Sequence, residues 1–236
     1  MNYFSTLKRV MIIVAHPDDE LLGLGATLNR LIQEERIITH VVILGEGITS
    51  RSEERDILLW EKELITHKNN IESARKAIGY DSVNTYSFPD NRFDTVPLLD
   101  IIKIIENEKK KFKPDVIFTH HGGDVNIDHQ KTFEAVMTAI RPLKAETVKL
   151  IISFETPSGT EWRASNSPFH FIPNLFFTIN ENNLAAKIKG MESYEYEKRT
   201  YPHPRSPEAL KIQAQRWGII IGCELAEAFC VVRSIL

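Results

Sequence analysis

A chain of 236 residues has room for a core that buries roughly 70% of its unfolded surface, so no disulfide or metal staple is needed for folding. Its 42% hydrophobic and 26% charged content is that of an ordinary globular protein, and a net charge of -3 excludes the basic face that nucleic-acid or anionic-membrane binding calls for. The two cysteines, Cys223 and Cys230, are too few for a disulfide framework and form no CxxC pair; they read as buried small hydrophobes.

The chain begins Met1-Asn2-Tyr3-Phe4-Ser5 and passes Lys8 and Arg9 into the short apolar run 10–14. That run is too short for a secretory signal or a membrane span, which points to the cytoplasm. Residues 10–15 are continuously apolar and predict a strand covered on both faces. Residues 21–33 carry leucines at helical spacing, and Gly23, Gly25 and Ala26 would allow close packing on a sheet. A strand over 39–44 and a helix over 61–78, closed by Gly79, follow. Next come a strand over 82–87, a lysine-rich helix over 97–112 stopped by Pro114, and a strand over 115–119. A helix over 128–140, with Asp128 as its cap, leads to a strand over 149–154.

Residues 156–173 are rich in Pro, Ser and Gly and read as one long loop, the kind that often serves function. A strand over 175–179, helices over 181–198 and 206–222, and a terminal edge strand over 229–233 complete the reading. The βαβα order implies a parallel sheet with helices on both faces, wound as one domain over residues 1–236.

Open parallel sheets place ligand sites beyond the C-terminal ends of their strands. Two such ends carry metal-competent side chains: His16-Pro17-Asp18-Asp19-Glu20 after the first strand, and His120-His121-Gly122-Gly123-Asp124-Val125-Asn126-Ile127-Asp128-His129 after the fourth. A catalytic zinc wants three N or O ligands and one open position, and His16, Asp19 and His129 supply that set. Asp18 is adjacent to a ligand and cannot point the same way, so it is left as a general base for water.

These residues also carry a resemblance. Ala15-His16-Pro17-Asp18-Asp19-Glu20, joined with Asp128-His129, resembles the LmbE-like, or PIG-L, family of zinc N-deacetylases. Further segments fit one bacterial subgroup: Ser153-Phe154-Glu155-Thr156-Pro157-Ser158 with Glu161-Trp162, Phe171-Ile172-Pro173-Asn174, and Ala226-Glu227-Ala228-Phe229. The resemblance implies a Rossmann-like, doubly wound α/β fold of three layers, zinc (Zn2+) on His16, Asp19 and His129, and Asp18 as base. Many family members have His-Pro-Asp-His in the second motif, where the first histidine polarises the substrate carbonyl. Asn126 stands there in this chain and can still donate a hydrogen bond to an oxyanion, but it cannot transfer a proton. His121 is a second candidate donor, with His120 beside it, and Asp128 is expected to orient a neighbouring imidazole. A substrate-contacting arginine of the family, at the start of the helix before Glu72, is matched by His67. Arg55 or Arg205 could replace it, although a surface role suits either better.

The implied activity is removal of an acetyl group from an N-acetylated, N-acetylglucosamine-type amino sugar, with Trp162, Arg163, Phe169 and His170 of the long loop lining a substrate pocket. Two other readings stay open. One is a zinc amidase for another small amide, such as a thiol conjugate or an antibiotic precursor. The other is a non-catalytic sugar- or nucleotide-binding domain, disfavoured because GxGxxG is missing and all three ligands and the base are present. The partner is a small molecule rather than nucleic acid, and assembly of copies of the chain is left open.

Overall fold

The computed structural model describes residues 8–235, so the segment from Met1 to Ser5 lies outside the described residues. In chain order the strands and α-helices are β1 (Arg9–Val14), α1 (Asp19–Glu35), β2 (Ile38–Gly45), α2 (Glu61–Ile78), β3 (Ser82–Phe88), α3 (Leu98–Phe112), β4 (Val116–His120), α4 (Ile127–Ala139), β5 (Leu150–Phe154), β6 (Leu175–Thr178), α5 (Glu181–Ser193), α6 (Pro207–Ile221) and β7 (Ala226–Ser234). The strands form one seven-stranded sheet in the order β3-β2-β1-β4-β5-β7-β6. All pairings from β3 to β5 are parallel, and β7 runs antiparallel to both β5 and β6.

The alternation of strand side chains divides the core into two layers. Val10, Ile12 and Val14 of β1 pack with Leu24 and Leu28 of α1, Ile71 of α2 and Met191 of α5. Met11, Ile13 and Ala15 face the other way, onto Ile101 and Ile105 of α3 and Val136 of α4. Both faces of the strand are covered, so its sequence is apolar throughout. Each fully buried aliphatic side chain contributes about 1.5–3 kcal/mol. α1 sits unusually near the sheet. A Cβ on Gly23 would come within 2.2 Å of the Phe154 ring, and the helix is locally unwound at Leu24.

Strand order reverses between β1 and β4, and the crevice at such a switch point is where open α/β sheets bind ligands. The loops after β1 and β4 meet there.

Four details differ from the sequence reading. The C-terminal strand lies between β5 and β6 rather than at an edge, because β6 adds outside it. α4 begins at Ile127 and its cap is Asn126, whose side chain accepts from the Asp128 N–H, so Asp128 is freed for another task. α5 ends at Ser193 instead of continuing through 198. Cys223 and Cys230 are unpaired but half-buried rather than buried. Among the described residues no helix is long and apolar enough to cross a membrane.

Candidate metal centre and cleft

The turn after β1 is held by its own backbone and by its carboxylates. The His16 N–H donates to Asp19 Oδ2 at 2.8 Å, and the Asp18 carbonyl accepts from Leu21 and Leu22 to start α1. Asp18 itself takes φ 101°, ψ -25°, a region that non-glycine residues rarely occupy and that costs of order 1–3 kcal/mol. This bend separates the two neighbouring carboxylates, and both are buried.

Asp19 Oδ2 lies 3.4 Å from His16 Nδ1 and 3.4 Å from His129 Nε2. His16, Asp19 and His129 offer ligand atoms that all lie within 4.8 Å of one another. Each histidine has a carboxylate at its other ring nitrogen. His16 Nε2 is 2.8 Å from Asp128 Oδ2, which also accepts from the Asn91 N–H, while Asp128 Oδ1 accepts from Phe93. His16 therefore donates through Nε2, and Nδ1, turned toward Asp19, is the nitrogen that a proton or a cation can occupy. His129 Nδ1 is 3.2 Å from Asp124 Oδ2, off the line of a good hydrogen bond, and Nε2 is buried with no hydrogen-bond partner among the described residues. Asp124 is fixed by Thr160 Oγ1 at 2.6 Å and the Asn126 N–H at 2.8 Å, and Gly159 packs so close that a Cβ would come within 2.8 Å of its carboxylate. Imidazoles backed by a carboxylate at one nitrogen and turned to a shared point by the other are the arrangement metal-ligating histidines adopt.

Charge supports the same geometry. Burial alone would lower the His129 pKa, but Asp19 and Asp124 overcome it and raise it to about 9. His16 is likewise raised well above its usual value against burial by Asp128 and Asp19. Burial would raise Asp19, yet His129 beside it holds it well below the ordinary carboxylate range. A field that favours protons at these nitrogens also favours a cation.

His120 stacks on His129, ring centroids 3.9 Å apart, but is not free to ligate. Its Nε2 accepts from the Ala15 N–H at 2.9 Å and its Nδ1 faces Thr156 Oγ1 at 3.0 Å. Burial and the adjacent His129 lower its pKa to about 4, so it is a neutral brace.

A cavity of about 120 Å³ opens over this group, with Asp18, His67, Asn126 and Arg205 on its walls beside His16 and His129. The Arg205 Nη1 donates to Asp18 Oδ2 at 2.8 Å and to Glu197 Oε2 at 2.9 Å, and its Nε donates to Ser158 at 2.7 Å. Burial, helped by Asp19, Glu197 and Glu20, pushes the Asp18 carboxyl well above its usual range in spite of Arg205. His67 lies within α2 rather than at its start and stacks on Tyr196 at 5.6 Å. Burial, with Arg51 nearby, brings its pKa to about 4. Asn126 donates through Nδ2 to Asn91 Oδ1 and keeps one N–H in reserve.

Several expected site residues lie elsewhere. His121 turns away from the cavity; its Nε2 contacts the Phe169 carbonyl and its ring abuts Phe171, because neighbouring residues leaving a strand face opposite ways. Trp162 is 57% exposed against His203, and Arg163 bonds Ser167 and lies over Phe169. His170 bonds the Ser165 carbonyl. Of the long loop, only Thr156, Pro157 and Ser158 reach the cavity. Arg55 is tied to Glu46, whereas Arg205 is inside the cleft and not the surface residue expected. Sequence reading missed Asp90, Asn91, Arg51 and Glu197. The strand-end rule would have found Asp90-Asn91 after β3; Glu197 follows α5 and carries no such signal.

Comparison with known proteins is consistent with this construction. The profile of the PIG-L family, GlcNAc-PI de-N-acetylase, matches residues 11–140. The uncharacterized deacetylase YaiS of Escherichia coli K12 is 29% identical over 198 residues, covering 80% of this chain and 91% of that protein. N,N'-diacetylchitobiose deacetylase from Pyrococcus horikoshii, bound to an inhibitor, superposes with a TM-score of 0.77 at 17% identity, over 99% of this chain and 86% of that one. The zinc-inhibited form of teicoplanin deacetylase Orf2 gives 0.76 at 14% identity, over 96% and 99% of the two chains. Identities this low establish the fold alone, but the profile spans more than half of the sequence. The chain belongs to the PIG-L family and is a deacetylase, a hydrolase of amide bonds.

Proposed function

We propose that this deacetylase removes the acetyl group from an N-acetylated, N-acetylglucosamine-type amino sugar, using a zinc ion held by His16, Asp19 and His129. The observation that carries the reading is the buried His129 Nε2, which has no hydrogen-bond partner and lies 3.4 Å from the Asp19 carboxylate that also faces His16 Nδ1. Two imidazole nitrogens and one carboxylate are the donor set of a catalytic zinc with room for water. Bound there, zinc supplies Lewis-acid polarisation of an acyl oxygen and acidification of water.

The remaining steps belong to the chain. Asp18 takes the proton of the attacking water through the carboxylate that Arg205 grips by Oδ2. Its raised affinity for a proton suits it to hold that proton and pass it to the leaving amine. The free N–H of Asn126 donates to the oxyanion as charge develops. Neutral His67 offers one donor and one acceptor to a sugar hydroxyl. Asp128 and Asp124 orient the two imidazoles, and Asp90 and Asn91 fix the floor beneath them.

The sugar assignment is supported by the substrates for which the relatives are named, GlcNAc-PI and N,N'-diacetylchitobiose. We read residues 1–236 as one functional unit. Unpaired cysteines suit a cytoplasmic setting. The test is metal analysis of the purified protein followed by acetate release from a panel of N-acetyl sugars and unrelated acetamides. Acetate released from the sugars, lost on chelation and restored by zinc, is the expected result. Release from the unrelated acetamides alone overturns the sugar assignment.

A further inference from the structure

A second and larger cavity, about 280 Å³, adjoins the cleft. Pro17 and His67 line both spaces, so the two meet across these rings. Beyond them Ile57, Leu64, Ile71 and Tyr86 share the walls of the larger cavity with polar residues, Glu46 and Lys68 among them. His67 is 2% exposed and neither ring nitrogen has a hydrogen-bond partner among the described residues. Its neighbours on the cleft side do not satisfy it: Tyr196 stacks on the ring face, and Glu197 Oε1 is 4.0 Å from Nε2. A buried donor and acceptor without partners are unfavourable, and a ligand polar atom at the junction would satisfy one of them.

We propose that the larger cavity is a subsite for an aryl or short alkyl group attached to the amino sugar, with His67 bonding a polar atom where the two cavities join. This rests on the sugar deacetylase reading. The space is adequate, since an apolar cavity of about 150 Å³ accepts benzene. The chemistry is suitable, because small-molecule sites combine apolar walls with a few fixed polar groups. The catalytic cleft, by contrast, is smaller and ringed by Asp18, Asp90, Asn91 and Arg205, which suit hydroxyls and an acetamide rather than a hydrocarbon.

The experiment compares kcat/KM for phenyl N-acetyl-β-glucosaminide and for free N-acetylglucosamine, in the native protein and in Leu64→Trp, which fills the cavity. Thr85→Trp, at an exposed position of the cavity rim on the edge strand β3, is the second variant should the first fail to fold. Calorimetric binding of the product, phenyl β-glucosaminide, is measured in parallel and is independent of turnover. The expected result is a preference for the phenyl substrate of about tenfold or more, falling below about twofold in the filled variants. Equal use of both substrates, or a preference that survives in a folded filled variant, overturns the subsite. Binding of the phenyl product that is lost on filling, with neither substrate turned over, upholds the subsite and overturns the deacetylase reading for these sugars. Neither turnover nor binding overturns both.

Discussion

The turns around His16 and His129 and the loop after β5 both leave the C-terminal edge of the sheet, yet they are built on opposite terms. In the first region every carboxylate is buried and most meet backbone N–H groups: Asp19 accepts from His16, Asp128 from Asn91 and Phe93, and Asp124 from Asn126. In the second, Trp162 and Phe169 are more than half exposed, and Arg163 and His170 are occupied by their own loop. The lesson is that length and irregularity do not make a loop part of a site. Only the residues nearest the strand end, Thr156 to Ser158, reach the cavity.

The strongest way to sharpen this contrast is Asp18→Asn. The uncharged isostere leaves His16, Asp19 and His129 in place, so metal content is expected to stay near that of the native protein. Activity should drop by roughly two to four orders of magnitude, the usual worth of positioned acid–base catalysis. Loss of metal from this variant would assign Asp18 a ligand role instead.

Asp124→Asn tests the backing carboxylates without touching a ligand. Zinc affinity, measured by competition with a chelator, is expected to weaken by about 10- to 100-fold. Unchanged affinity would show that His129 needs no orienting partner.

Much of this region was legible in the sequence. The apolar run of β1 fixes a buried strand, and the His16–Glu20 segment follows it after Ala15 alone. The end of α2 could be read directly, because Gly79 takes a left-handed φ of 98° that other residues avoid. Other features could not be read. Asn126 and Asp128 are both capping residues two apart, and only the fold shows that Asn126 caps while Asp128 serves His16. His120 and His121 are chemically identical neighbours, and the phase of the strand alone sends one inward and the other out. Helical spacing ran past Ser193, but the chain leaves the helix there and carries Tyr196 to His67 and Glu197 to Arg205. The partners of β7 depend on where β6 is added, which no property of β7 encodes.

Glu155 shows what the β5 loop lacks. Burial raises its pKa from 4.5 to about 7, and its partners are the Trp217 and Gln213 side chains rather than backbone amides. The folded state therefore holds this proton through a pH window, about 4.5 to 7, in which the unfolded chain loses it. Stability falls as pH rises through that window. Since the residue is half-buried, Glu155→Gln is expected to gain on the order of 1 kcal/mol over the native protein at pH 8 and nothing at pH 4, read by urea unfolding. An equal difference at both values would remove the ionisation argument.

The smallest effect belongs to Trp162→Ala. Placed outside the cavity, the side chain is expected to alter kcat and KM for the acetylated sugar by less than about twofold, as exposed positions usually do. A KM rise of tenfold would return the outer loop to the substrate site.

The most direct measurement is anomalous scattering at the zinc edge from crystals grown with zinc. His16 belongs to two groups of metal-competent side chains: one with Asp19 and His129, the other with Asp90 and Asp128. Because His16 donates through Nε2 to Asp128, Nδ1 is the nitrogen open to a cation in exchange for its proton. The peak is therefore expected between His16 Nδ1, Asp19 Oδ2 and His129 Nε2. A peak at Nε2, among Asp90 and Asp128, would contradict the proposed centre and the roles of every residue built around it.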